Sequence, residues 1–262
     1  MNVGGAAAYV RALADAWRGD TVHLHHLTLV NPGPRTIRIA AIGGNIRMHR
    51  LIDETLPRGG TFVDAGANIG VNTLYAAARV GDRGRVVAIE PAPDNLAVLD
   101  RNIAGNHADN VTVVRGAAGA AAGKRELYVR GDVSAVNSLF PDSCYAEVTA
   151  VLPVAVHRLD DVVDGEADVI KIDVEGGEHI ELAGAGRLLA TPRVVLLVEW
   201  HPLLQEAAGH AAEALPRSLI DRGFRLDTVS HVSRRPLAAA EIVPLAASLR
   251  RARKPIELLA RR

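Results

Sequence analysis

The stretch that most restricts the fold is Phe62-Val63-Asp64-Ala65-Gly66-Ala67-Asn68-Ile69-Gly70, answered further on by Val86-Val87-Ala88-Ile89-Glu90-Pro91. An apolar run ends in an acid, turns through small residues and continues as Val71, Leu74, Tyr75 and Ala78, the spacing of one helix face. A second apolar run then ends in a second acid. The pattern is strand, glycine-rich turn, helix and strand, the opening of a nucleotide-binding α/β sheet. Gly66 and Gly70 let the backbone turn tightly and approach a ligand where a Cβ would collide. Glu90 falls where a carboxylate at a strand end accepts hydrogen bonds from a ribose diol.

What is missing narrows the nucleoside. Asn68 and Ile69 break the Gly-x-Gly-x-x-Gly spacing of dinucleotide sites, and no Gly-Lys-Ser/Thr follows the turn as a phosphate-binding loop requires. An acid before the turn (Asp64) and another for the ribose (Glu90), with nothing to grip a phosphate, suit S-adenosylmethionine. Its far end carries a sulfonium and an ammonium.

From Thr61 the pattern alternates. Strands are expected at 61–64, 85–90, 111–115, 168–174 and 193–200, with helices at 70–80, 93–105, 157–163, 176–190 and 203–222. Short strands lie near 124–130 and 148–155, and a last strand region begins at Phe224. Alternation of this kind predicts an α/β fold with a doubly wound, mainly parallel sheet. Upstream, Tyr9, Val10, Leu13 and Trp17 mark a helix over 6–18. Segments 21–30 and 35–42 alternate like strands around Asn31-Pro32-Gly33-Pro34, so a small N-terminal β-hairpin is expected. His23, His25 and His26 have no carboxylate beside them and are read as ordinary strand residues rather than metal ligands. No linker interrupts the chain, which reads as one domain: cap 1–55, cofactor-binding core 56–235 and C-terminal extension 236–262. The arginines of that extension are read as a solvated face or a frayed tail.

Composition limits the partners. Lys+Arg and Asp+Glu balance at 30 each, and the chain has three phenylalanines, two tryptophans and four tyrosines. Neither a basic face nor aromatic stacking platforms for nucleic acid are in prospect. Cys144 is alone, so no disulfide framework or thiolate cluster is expected. Arg11, Asp15 and Arg18 interrupt any apolar leader, and no run is long enough to span a bilayer. The expectation is a cytoplasmic protein with neither nucleic-acid nor membrane partners.

Two further runs end in acids: Ile170-Lys171-Ile172-Asp173-Val174-Glu175-Gly176-Gly177-Glu178 and Leu196-Leu197-Val198-Glu199-Trp200-His201-Pro202. In an open parallel sheet, ligands bind beyond the carboxyl ends of the strands. Asp64, Glu90, Asp173 and Glu199 each fall at such an end, and an acid inside an apolar strand is costly unless something pairs with it. The four are therefore expected to open on one crevice.

With these residues in view, the chain resembles the FkbM-type S-adenosylmethionine-dependent methyltransferases. The resemblance runs over roughly residues 45–205 and rests on Phe62–Gly70, on Ala88-Ile89-Glu90-Pro91, on Asn137-Ser138-Leu139 and above all on Ile170–Glu178. It implies a class I methyltransferase fold, a Rossmann-like sheet of seven strands whose last runs antiparallel. It also implies O-methylation of sugars, polyketides or other specialised metabolites. By this likeness Asp64, Gly66, Asn68 and Gly70 line the methionine and ribose side of the cofactor, with Glu90 on the ribose hydroxyls. Many class I methyltransferases carry an acid for adenine after the third strand; here Arg115-Gly116-Ala117-Ala118 has none, which leaves the backbone around Ala117.

Methyl transfer from a sulfonium is an in-line displacement, so the protein must align acceptor, methyl and sulfur and exclude water. A hydroxyl must also lose its proton as it attacks. Asp173, Glu199 and His201 are the candidate bases. His201 has the ordinary pKa best suited to the task, although it is equally placed to cap the helix that follows Pro202. Alternatively Asp173 and Glu199 hold a divalent ion, magnesium for instance, that acidifies the acceptor hydroxyl. The expected substrate is a small hydroxylated metabolite, with N- or C-methylation and RNA methylation as the alternatives. Loop residues Arg47, His49, Arg50, Asp132, Ser134, Asn137 and Ser138 are expected to hydrogen-bond such an acceptor.

Overall fold

A computed structural model of the chain describes residues 8, 11–15, 18, 21–30, 35–130, 136–142, 147–230 and 233–262, with the backbone alone for 35–44. Its centre is an eight-stranded sheet. The strands entering first are β3 (Thr61–Ala65), β4 (Arg85–Glu90) and β5 (Val111–Arg115). β9 (Val169–Ile172), β10 (Val195–Trp200), β11 (Arg225–Val229), β12 (Arg234–Pro236) and β13 (Ile256–Arg261) follow. The spatial order is β12-β11-β13-β10-β9-β3-β4-β5. β5, β4, β3, β9 and β10 run parallel, and β13 is antiparallel to β10 and β11 on either side.

The strand sequences explain why this sheet is covered on both faces. Neighbouring residues Phe62/Val63, Val86/Val87, Val169/Ile170, Leu196/Leu197 and Leu258/Leu259 all point into apolar cores, but into two different ones. That is the two-residue period of a strand buried on each side. One face packs on α1 (Arg35–Thr55) and α2 (Val71–Val80), through Met48, Leu51, Ile52, Ala76, Ala77 and Val80. The other face meets α4 (Leu159–Val162), α5 (Glu178–Ala183), α6 (Gly186–Ala190) and α8 (Ala214–Asp221), through Leu159, Leu182, Leu188, Leu215 and Leu219. α3 (Pro93–Gly105) crosses from β4 to β5, and α7 (Pro202–Ala207) follows β10.

Three expectations change. Segment 35–42 is not a strand: it is the first part of α1, and the hairpin is instead β1 (Thr21–Leu24) paired with β2 (Leu27–Val30) around His25 and His26. Alternation at Ile37 and Ile39 suggested a strand, but the helical spacing of Met48, Leu51 and Ile52 continues the same element into the core, and tertiary packing overrides local β-propensity. The turn expected at 31–34 lies outside the described residues, as do Tyr9, Val10 and Trp17 of the helix expected at 6–18. The C-terminal segment is no frayed tail. α9 (Ile242–Ala252) leads into β13, which lies in the sheet with Leu258, Leu259 and Ala260 fully buried. Finally, the sheet has eight strands where the family likeness implied seven, because the short β12 adds an outer edge to β11.

A second, three-stranded sheet is inserted between β5 and β9. It comprises β6 (Ala117–Ala118), β8 (Ala150–His157) and β7 (Gly123–Val129), in that order. This insertion and the carboxyl ends of β3, β4, β9 and β10 enclose a large cavity.

Candidate active site

The turn after β3 is built by contact as much as by conformation. Gly66 has φ 80°, and a Cβ there would stand 1.9 Å from the Asp173 carbonyl oxygen, so only glycine lets the β3 and β9 ends meet. Gly70, with φ 90°, starts α2, where a Cβ would strike Leu99 at 2.5 Å. Its place is a packing contact with α3. Asn68 between them holds the left-handed region at φ 52° and faces the cavity. The hairpin is tied to this turn by Asn102, whose Nδ2 donates to the carbonyls of Ile69 (2.8 Å) and Val30 (3.0 Å).

Glu90 ends β4 with its carboxylate almost entirely enclosed. The Asn68 N–H donates to Oε2 at 2.9 Å, and the Ala92 N–H and Asn95 Nδ2 donate to Oε1 at 2.9 and 3.0 Å. Burial raises its pKa and these three donors pull the other way. A carboxylate offers about four acceptor positions, so one remains for a ligand hydroxyl. Glu90 lines the cavity together with Gly66, Asn68 and Ala117.

Asp64 is placed differently from the expectation. It is fully buried and is not among the cavity-lining residues. Thr73 Oγ1 donates to it at 2.6 Å, and Lys171 Nζ lies 3.1 Å away. Lys171 is the hub of the cavity wall: it also donates to the Gly66 carbonyl at 3.1 Å and lies 3.6 Å from Asp173. Burial works against the ammonium, but Asp64 and Asp173 more than offset it and its pKa is raised. Gly70, like Asp64, stays behind the wall.

Beyond Lys171 the cavity turns acidic. Asp173, Glu175 and Glu199 each bring a carboxylate oxygen within 4.8 Å of the others. Burial, with the charges of Asp173 and neighbouring glutamates added, pushes Glu175 and Glu199 well above the usual carboxylate range. Part of that charge comes from β13, where Glu257 faces Glu199 across the strand pair and is held by Arg47 at 3.2 Å. Glu178, below Glu175, accepts the N–H groups of Val174 and Gly176 and is pushed by burial to about 7. Glu175 itself adopts φ 56°, an uncommon conformation for a residue with a side chain. Sequence reasoning missed Lys171, Glu175, Glu181 and Glu257. The first two stood within the most informative motif and could have been read as partners of the acids beside them.

His201 is not on the cavity wall. It is buried as the N-cap of α7, its Nδ1 accepting the Leu204 N–H at 3.4 Å, and burial lowers its pKa. Leu127, Val129, Leu139, Phe140 and Leu152, from the inserted sheet and the segment joining β7 to β8, form an apolar stretch of the wall, with Arg125 beside it. Of the polar loop residues expected to serve an acceptor, Asn137 and Ser138 line the cavity but are engaged. Asn137 Oδ1 accepts the Arg130 N–H, and Ser138 Oγ donates to the Glu175 carbonyl. Arg47, His49 and Arg50 lie elsewhere; Asp132 and Ser134 are outside the described residues. The whole space is about 820 Å³, at the upper end of ligand cavities.

The model of the methyltransferase FkbM domain family matches residues 64–226. Methyltransferase sdnD of Sordaria araneosa is 30% identical over 179 residues, covering 56% of this chain and 69% of that protein. Among solved structures, a proposed rRNA methylase of Clostridium thermocellum superimposes with a TM-score of 0.50 at 16% identity, over 82% of this chain and 92% of that one. A methyltransferase FkbM from Methylobacillus flagellatus KT gives a TM-score of 0.45 at 18% identity, over 87% of this chain and 57% of that one. At such identities the structural likeness concerns the fold.

Proposed function

Because the chain belongs to the methyltransferase FkbM family and is an S-adenosylmethionine-dependent methyltransferase, we propose that it methylates a hydroxyl group of a small metabolite. The observation that carries this reading is the division of one cavity into a nucleoside end at Glu90 and Ala117 and a carboxylate end at Asp173, Glu175 and Glu199. Glu90 accepts from the ribose, and the Gly66–Asn68 turn borders the ribose and methionine side. The methyl group then points towards the carboxylates. An attacking alcohol needs a proton acceptor within reach, and Glu199 or Asp173 supplies it. Burial raises the Glu199 pKa, so that its carboxylate, once ionised, is a stronger base than an ordinary one. The apolar wall favours an acceptor with an apolar face, such as a polyketide- or peptide-derived scaffold, over a bare sugar.

A second reading has its own support. Three carboxylates with oxygens this close suit a hard divalent cation such as magnesium. Asp173, Glu175 and Glu199 would hold it, and its chemistry there would be to lower the pKa of the acceptor hydroxyl. The deciding experiment is a screen of hydroxylated metabolites with labelled S-adenosylmethionine, with and without chelator. Transfer to a hydroxyl that ignores chelator supports the carboxylate base; transfer lost to chelator and restored by magnesium supports the metal. A product methylated on nitrogen or carbon, or faster transfer to RNA than to any metabolite, would overturn the proposal.

A further inference from the structure

Adenine has no side-chain partner in the segment where one is expected. Arg115 is exposed and paired with Asp100 at 2.9 Å, and Gly116, Ala117 and Ala118 have no polar side chain to offer. Yet the base presents a 6-amino donor and an N1 acceptor on one edge, and burying such groups unpaired is costly.

The strand order fixes where that edge lies. A cofactor with its ribose at Glu90 has two directions along the row of strand ends. Towards β9 and β10 stand Lys171, Asp173 and Glu199; towards β5 and β6 stand Ala117 and Ala118. The cationic sulfonium belongs with the carboxylates, so the base runs to the Ala117 side. There α5 forms the facing bank. Just beyond its end, a Cβ on Gly184 would stand 2.0 Å from the Gly119 carbonyl oxygen, and Leu182 shares a core with Ala118. Glu181 sits one turn before that contact. It lines the cavity at 2% exposure, and its Oε2 has no hydrogen-bond partner among the described residues. A buried polar atom left in this state calls for a ligand.

We infer that Glu181 reads the adenine edge of S-adenosylmethionine, its carboxyl group accepting from the 6-amino group and donating to N1. Burial first, then the Glu178 charge, raises its pKa well above the usual range; Lys171 opposes this and Asp173 adds to it. The shift favours the neutral acid. A neutral carboxyl carries an O–H donor beside a carbonyl acceptor, the complement of the amino–N1 pair, and a glutamine side chain carries the same two functions. The inference rests on the cofactor and is independent of which acceptor is methylated.

Calorimetry with S-adenosylhomocysteine and its analogue lacking the 6-amino group tests it. The wild-type chain should prefer the parent compound by roughly 2–10-fold, the worth of one hydrogen bond. Glu181→Leu should lose roughly 10–100-fold in affinity for the parent and no longer tell the two apart, while Glu181→Gln retains both affinity and preference. Tight wild-type binding indifferent to the 6-amino group overturns the inference and leaves the cofactor assignment standing. So does a Glu181→Leu chain of unchanged affinity whose acceptor KM rises, and so does a Glu181→Gln chain that behaves like the leucine variant. A wild-type chain that binds no S-adenosylhomocysteine overturns the cofactor assignment itself. The analogue comparison needs no substitution, so a variant that fails to fold leaves the test intact.

Discussion

The two ends of the cavity treat their carboxylates in opposite ways. At the nucleoside end Glu90 is held by three N–H donors from Asn68, Ala92 and Asn95. At the other end Asp173, Glu175 and Glu199 converge with Lys171 as the nearest cation, and Glu257 adds its charge from behind. A carboxylate already surrounded by donors is a fixed receptor, able to take one more hydrogen bond without rearranging. Carboxylates that repel one another in a poorly solvated space favour anything that brings a proton or a positive charge. On the proposed reading the difference separates binding from chemistry: one end would hold the nucleoside, and the other would draw the sulfonium and take the proton.

The largest effect that could break this division is on turnover. Glu199→Gln keeps the shape of the side chain and removes the base. The expected outcome is a fall in kcat of roughly 10²–10⁴-fold with S-adenosylhomocysteine affinity unchanged by calorimetry. Equal losses in rate and affinity would mean that the carboxylate end also holds the cofactor. Lys171→Met tests the wall between the two ends. It leaves Asp64 buried without its counter-ion, and removing one partner of a buried pair costs about 3–5 kcal/mol, measured by urea unfolding. Adding Asp64→Asn should recover part of the loss, because the two substitutions act on one interaction. Glu90→Ala should weaken S-adenosylhomocysteine by about 1.5–3 kcal/mol, from one lost hydrogen bond to a charged group, while kcat at saturating cofactor is retained. A large kcat effect there would erase the distinction.

These predictions also mark what the sequence could convey. The nucleoside end was legible because it is local: β3, the Gly66–Gly70 turn, α2, β4 and Glu90 follow one another, and each is announced by apolar spacing and glycine. The acids of β9 and β10 were legible as strand ends. Their environment was not. Glu257 meets Glu199 because β13, the last strand in sequence, inserts beside β10, and Arg47 reaches it from α1. Neither contact has a local signature. Asp64 was misread for a related reason: an acid at a strand end faces a ligand only if no buried cation claims it, and Lys171 arrives from a strand that follows more than a hundred residues later. The α1 error arose where alternating isoleucines open a helix that is anchored further on by Met48, Leu51 and Ile52.

Acid titration sharpens the comparison at smaller magnitude. In the folded chain burial pushes the Glu178 carboxyl up to about 7 from its ordinary 4.5. A raised folded pKa stabilises below the unfolded value, and that contribution is lost as pH rises through the folded one. Unfolding free energy should therefore decline between about pH 4.5 and 7 by an amount on the order of 1–3 kcal/mol that Glu178→Gln removes. The comparison of wild type with variant isolates this group from His49, whose pKa burial lowers from 6.5 to about 3 and which acts in the opposite sense over an overlapping range. A wild-type and a variant pH profile that run parallel would show that Glu178 is not a strained member of the acidic end.

The smallest effect concerns His201, which the chain offers as a base and the fold uses as a cap. Nδ1 accepts the Leu204 N–H, so the neutral ring carries its proton on Nε2, and burial favours this neutral form. The residue sets the first turn of α7 after Pro202 and does not touch the cavity. His201→Ala should cost about 1 kcal/mol of stability, the usual worth of an N-cap, while His201→Asn, itself a good cap, costs less. Neither should alter kcat or the pH dependence of kcat/KM under conditions where both variants are folded. Loss of turnover in both, with stability preserved in the asparagine variant, would bring an imidazole into the chemistry. Proton removal would then no longer belong to the carboxylates alone.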